Sequence, residues 1–96
     1  MTDKTDREKM QRLKFLVERE AITRYREVFD YVPKTIYAKE MNQGYKAVML
    51  RGDYPSFLTF SEILRLSDVT GIDPYRLSKL VLDDLLYKPP TIYNKV

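Results

Sequence analysis

The 96-residue chain contains neither cysteine nor histidine. Their absence removes disulfides, thiolate nucleophiles, imidazole bases and the usual zinc-binding sets together. Only three glycines occur, too few for a loop-rich β-sandwich, and no apolar run approaches the roughly 20 residues that a membrane-spanning helix needs. The first residues, Met1-Thr2-Asp3-Lys4-Thr5-Asp6-Arg7, are polar, so neither a signal peptide nor a membrane anchor is expected. These absences fit a cytoplasmic protein with no cofactor and no metal. No pair of side chains has an obvious catalytic task, and the chain is not expected to be an enzyme.

What is present is ordinary for one globular domain: 44% hydrophobic and 32% charged residues in a length that fills a single core. The net charge of +3 comes from 17 basic and 14 acidic side chains. Residues 31–60 hold four basic groups against two acidic ones, so two of the three surplus charges lie in the middle third.

Apolar periodicity gives an all-α fold. Met10, Leu13, Leu16, Val17, Ala21, Tyr25, Val28 and Phe29 recur at three- and four-residue steps from Asp6 to about Tyr31. The spacing leaves open one long helix or two with a bend near Glu20. Pro33 starts a short helix that runs to Met41, Asn42-Gln43-Gly44 breaks it, and a second short helix follows from Tyr45 to about Arg51. Gly52-Asp53-Tyr54-Pro55-Ser56 reads as a loop. Thr59-Phe60-Ser61-Glu62 has the form of a capping box and opens a helix that Gly71 ends. Asp73-Pro74 opens a last helix to about Leu86, with Leu77, Leu80, Val81 and Leu85 as its core candidates, and Lys88-Pro89-Pro90 stops it. The expected organisation is an N-terminal helical extension over residues 1–20, a helical domain over 21–87 and an extended tail over 88–96.

The informative unit is Lys34-Thr35-Ile36-Tyr37-Ala38-Lys39-Glu40-Met41, then Asn42-Gln43-Gly44, then Tyr45-Lys46-Ala47-Val48-Met49-Leu50-Arg51. Ala38 is small where two helices must cross closely, Met41 can close the corner, and Val48 can pack back onto the first helix. Further on come Arg51-Gly52-Asp53-Tyr54-Pro55 and Ile63 to Pro74, the latter containing Val69-Thr70-Gly71-Ile72-Asp73. In order and spacing, residues 22–82 resemble the phage-repressor (Cro/XRE) class of helix-turn-helix domains. The chain departs from that pattern at Asn42, where the family usually has Gly, and at the consecutive apolar run Val48-Met49-Leu50.

The resemblance implies a compact five- or six-helix bundle with a lambda-repressor-like helix-turn-helix and an extra N-terminal helix. It implies sequence-specific binding of duplex DNA through a recognition helix in the major groove, and a role in transcription regulation. Gln43, Tyr45, Lys46 and Met49 would face base edges, while Lys34, Thr35, Lys39 and Arg51 would hold phosphates.

Plainer readings stand beside these. The two short helices could simply pack in a bundle, and the apolar run favours a protein-interaction module that keeps the fold without binding DNA. Tyr37, Tyr45 and Tyr54 fit the edge of a core, with buried rings and wet hydroxyls. Asp83 and Asp84 are adjacent on a helix, point about 100° apart, and are expected to solvate it. Met10, Leu13, Leu16 and Val17 either extend the core or form a homodimer surface on the N-terminal helix.

Overall fold

A computed structural model describes residues 4–88. Among these residues the chain forms five α-helices and two 3-10 segments, with no strand. The helices are α1 (Lys4–Glu18), α2 (Lys34–Met41), α3 (Tyr45–Asp53), α4 (Phe60–Thr70) and α5 (Pro74–Leu86); the 3-10 segments are Tyr25–Asp30 and Pro55–Phe57. No described helix is long and apolar enough to cross a membrane.

The first apolar stretch is divided rather than continuous. α1 stops at Glu18, Glu20 takes a left-handed backbone with φ 62°, and Ala21 and Ile22 both donate to the Leu16 carbonyl. A left-handed residue cannot continue a right-handed helix. Two consequences differ from the periodicity: the second piece is a 3-10 segment, and Ile22 fills the core while Ala21 faces water. Of the two uses open to the α1 stripe, the structure shows the core. Met10, Leu13 and Val17 are buried, and Leu16 packs against them from the edge. Met10, Leu13 and Val17 are therefore spent inside the fold and leave no homodimer surface of their own.

The remaining helices bring Tyr25, Val28, Tyr37, Val48, Leu66, Leu77 and Leu80 onto the same core. Tyr37 lies deeper than the core edge expected of it. Its hydroxyl accepts a 2.9 Å hydrogen bond from the Tyr25 hydroxyl, and Phe29 packs edge-on to Tyr25 at 5.7 Å between ring centroids. Burial pushes the ionisation of both phenols well upward, so the pair stays protonated and each oxygen keeps a partner. Tyr45 and Tyr54, by contrast, are exposed.

Helix ends follow the sequence closely. The Thr59 hydroxyl accepts from the Glu62 amide at 3.1 Å and Glu62 Oε1 accepts from the Thr59 amide at 2.8 Å, completing the expected box. Asp73 caps α5 by accepting from the Tyr75 amide at 2.7 Å, and Gly71 ends α4 in the left-handed conformation, φ 81°. The stretch read as a loop is more ordered than that. Gly52 and Asp53 complete α3, because a glycine there lets the helix lie against Phe29 and Lys34; an added Cβ would sit 3.3 Å from the lysine chain.

Two carboxylates, Glu40 and Asp84, tie separate elements together, and a third, Glu27, braces its own segment. Glu40 on α2 is almost fully buried and accepts from Arg7 on α1 at 2.5 Å. Glu27 gathers the amides of Thr23 and Arg24 at 2.8 and 3.2 Å, fixing the entry to the first 3-10 segment. Asp84 departs from its expected surface role. It lies 4% exposed on α5 and accepts from the Arg26 amide at 2.8 Å and the Arg26 Nε at 2.9 Å. Arg24 stands 3.6 Å from the same carboxylate and lies over the Tyr87 ring at 3.7 Å from its centroid. The adjacent Asp83 points outward to Lys79. Leu85 likewise faces solvent rather than the core. The expected tail falls, from Pro89 onward, outside the described residues.

Asp84→Ala should lower stability by about 2 kcal/mol in urea unfolding, since it removes the partner of a part-buried amide and of two guanidinium groups. Asp83→Ala, one residue away on the surface, should stay within about 0.5 kcal/mol. The amides of Thr23 and Arg24 hold the Glu27 carboxyl below its ordinary range. Its contribution is thus complete above the unfolded-chain value of about 4.3 and is lost as pH falls through the lower folded value. Glu27→Gln should flatten that acid limb in melts measured across the acidic range.

Candidate nucleic-acid interface

The unit singled out in the sequence folds as two helices and a three-residue turn. Asn42 closes α2 in the left-handed conformation, φ 56° and ψ 49°. Its amide donates to the Lys39 carbonyl at 3.2 Å, and the Gln43 amide reaches back to the Ala38 carbonyl at 2.8 Å. This is the bond pattern that terminates a helix on one left-handed residue, and Asn tolerates it at small cost. Gly44 is not left-handed. It is extended at φ −72°, ψ 150°, with open space where a Cβ would be.

Position along α3 then fixes what faces inward. Val48 is fully buried, and Gly52, one turn later, is covered too. Because side chains four apart share a helix face, Tyr45, Lys46, Met49 and Leu50 are directed to solvent. The apolar run Val48-Met49-Leu50 therefore splits: Val48 enters the core, while Met49 and Leu50 remain 41% and 42% exposed.

Glu62, at the first turn of α4, holds this helix in place. While one of its oxygens caps α4, the other accepts from Arg51 Nε at 2.7 Å and from the Gln43 side-chain amide. Arg51 also donates to the Ala47 carbonyl at 3.1 Å, and Arg65 on α4 donates to the Met41 carbonyl at 3.0 Å, at the corner itself. The turn and the far half of α3 are thus both fastened to α4.

The eight residues picked from the sequence fall into two groups. Tyr45, Lys46 and Met49 share the outward side of α3, and Lys34 and Thr35 stand at the start of α2, Thr35 exposed and Lys34 half-buried with its Nζ 4.9 Å from the Phe29 ring centroid. Lys39 is exposed but bonded to Asp6 of α1 at 2.5 Å. Gln43 and Arg51 turn toward Glu62 instead of outward. Sequence reasoning required one of Met49 and Leu50 to be exposed and chose Met49, whereas both are; it missed the second role of Glu62. A helical wheel anchored on Val48 and Gly52 would have placed Leu50, and a capping carboxylate with one oxygen to spare is a standing invitation to a cation.

The starts of these two helices also differ from those of α4 and α5. α2 and α3 begin at Pro33 and Gly44, without a side-chain cap and without an acidic residue in the first turn. α4 and α5 are both capped by side chains. A groove of about 400 Å³ beside the end of α3 is lined by Arg24, Arg26 and Lys34 but equally by Glu27, Asp30 and Asp53, so it carries no net preference for an anion.

Glu62→Ala removes the cap of α4 and the anchor of Arg51 at once. It should cost about 2 kcal/mol in chemical unfolding, and amide exchange in α3 should quicken more than in α1. No family model matches the chain, and neither a curated protein nor a solved structure matches it.

Proposed function

We propose that this chain binds duplex DNA with α3 in the major groove and serves as a transcription regulator, as its likeness to the phage-repressor class implies. The observation that carries the proposal is the pairing of two uncapped, acid-free helix starts with exposed or half-exposed Lys34, Thr35, Tyr45 and Lys46. Helix N-termini attract anions through their unsatisfied amides and dipole, and DNA offers a regular array of phosphates.

In this arrangement α2 sits across the sugar-phosphate backbone, where Lys34, Thr35 and the first amides of the helix meet phosphate oxygens. Lys39 joins them by exchanging Asp6 for phosphate; an exposed ion pair costs little to open. On α3, Lys46 reaches guanine O6 or N7, and Tyr45 and Met49 touch thymine methyls. Arg51 and Gln43 serve this reading as supports, because Glu62 orients both.

A second reading has a specific observation in its favour. Tyr45, Met49 and Leu50 leave α3 with much apolar surface and one lysine, and the Tyr54 and Phe57 rings, 6.1 Å apart, add more beyond its end. That surface suits a protein partner as well as it suits thymine methyls.

Fluorescence anisotropy with labelled random and selected duplexes, at low and moderate salt, separates the two. DNA binding predicts affinity that falls steeply with salt, and a Lys46→Ala variant weakened on the order of tenfold. Absence of binding at low salt, or binding indifferent to salt, would leave only the protein-interaction reading.

A further inference from the structure

Among the exposed apolar side chains, Phe60, Leu64, Tyr75 and Leu82 form a stripe along α4 and α5, and Tyr45, Met49 and Leu50 form a patch on α3. The two differ in what surrounds them. The hollows beside the stripe are lined by apolar and aromatic groups and Ser78, with no charge. The patch holds Lys46 in its midst and begins at the uncapped, acid-free start of α3. An apolar patch that also carries a cation and a helix N-terminus suits an anionic partner with apolar groups of its own.

Lys46 and Leu50 stand opposite the buried Val48, with Tyr45 and Met49 beside them. Asp53, the acid of this face, lies two turns beyond Lys46 at the far end of the helix, away from the N-terminal residues that meet base edges in a helix-turn-helix. The chemistry of the four side chains limits what they can read. Met and Leu donate no hydrogen bond, Lys46 is a point charge, and the Tyr45 hydroxyl offers a single donor. The forked groups that grip guanine or adenine with two hydrogen bonds are missing from this face. Arg51, the one such group on α3, and Gln43, just before the helix, are both held by Glu62.

In the major groove one feature answers an apolar side chain, the methyl group on C5 of a pyrimidine. Thymine and 5-methylcytosine carry it, whereas uracil and cytosine present a bare C5–H at the same place. We propose that the outward face of α3 reads C5-methyl groups, so that 5-methylcytosine can serve in place of thymine where Met49 and Leu50 make the contact. The inference rests on the reading of α3 as a DNA-binding helix and adds what that helix discriminates. A thioether chain, an isobutyl group and a phenol ring close around a methyl group without competing for the hydrogen-bonding groups next to it.

Fluorescence anisotropy at low salt tests it, with a duplex selected from a random pool and the same duplex carrying deoxyuridine for every thymine. The replacement removes methyl groups and keeps each base's hydrogen-bonding groups. Affinity should weaken on the order of tenfold, from two buried methyl groups at about fourfold each. Met49 and Leu50 are exposed, so a Met49→Ala/Leu50→Ala double variant should keep the helical circular dichroism of the parent. In it the same replacement should cost less than about twofold. At a position where thymine proves critical, a G·5-methylcytosine pair should bind the parent about fourfold more tightly than a G·C pair. Salt-dependent binding that is indifferent to deoxyuridine overturns this inference and leaves DNA binding standing. So does a deoxyuridine penalty undiminished in the double variant, or equal affinity for the methylated and unmethylated pairs. No binding to any duplex overturns both.

Discussion

One carboxylate, that of Glu62, fixes the orientation of the helix on which the proposed activity depends. Its first oxygen finishes the start of α4, and its second holds Arg51 at 2.7 Å together with the Gln43 amide. A short helix such as α3, nine residues long, has little intrinsic stability in water. It needs anchors at both ends, and these contacts supply them while Val48 fills the middle. An ion pair only partly open to water is screened less than a surface one, so the arrangement survives salt better than a chain of exposed lysines would.

Two buried carboxylates perform the same service elsewhere. Glu40 pins α2 to α1 through Arg7, and Asp84 pins α5 to the first 3-10 segment through Arg26 and Arg24. Each is hydrogen-bonded as well as paired, as a desolvated charge must be. Arg7, Arg24, Arg26 and Arg51 are in this way committed to structure, and of the two basic residues on α3, Lys46 and Arg51, the second is among them. Lys46 is the basic side chain left on its outward face. The apolar surfaces divide similarly. The α1 stripe closes the core, and among the described residues the α4–α5 stripe is left exposed.

Much of this was legible from residue order. Pro33, Asn42, the Thr59–Glu62 box, Gly71 and Asp73-Pro74 act through backbone geometry within a few residues, so their positions mark helix ends directly. The α1 break was harder to read, because Glu20 has no special tolerance for φ 62° and is held there by the turn around it. Gly52 misled because glycine normally signals a loop, whereas here it marks the close approach of Phe29 and Lys34 to a helix.

By itself, the sequence determined an all-helical fold, the starts and stops of its later helices and the two-helix unit at residues 34–51, since each rests on local periodicity and capping. Only the tertiary structure decided which of two adjacent aspartates is buried, that Arg51 and Gln43 turn inward, and which apolar stripe remains at the surface. Those outcomes depend on contacts between residues 11 to 58 positions apart, and no local pattern encodes a partner at such a distance.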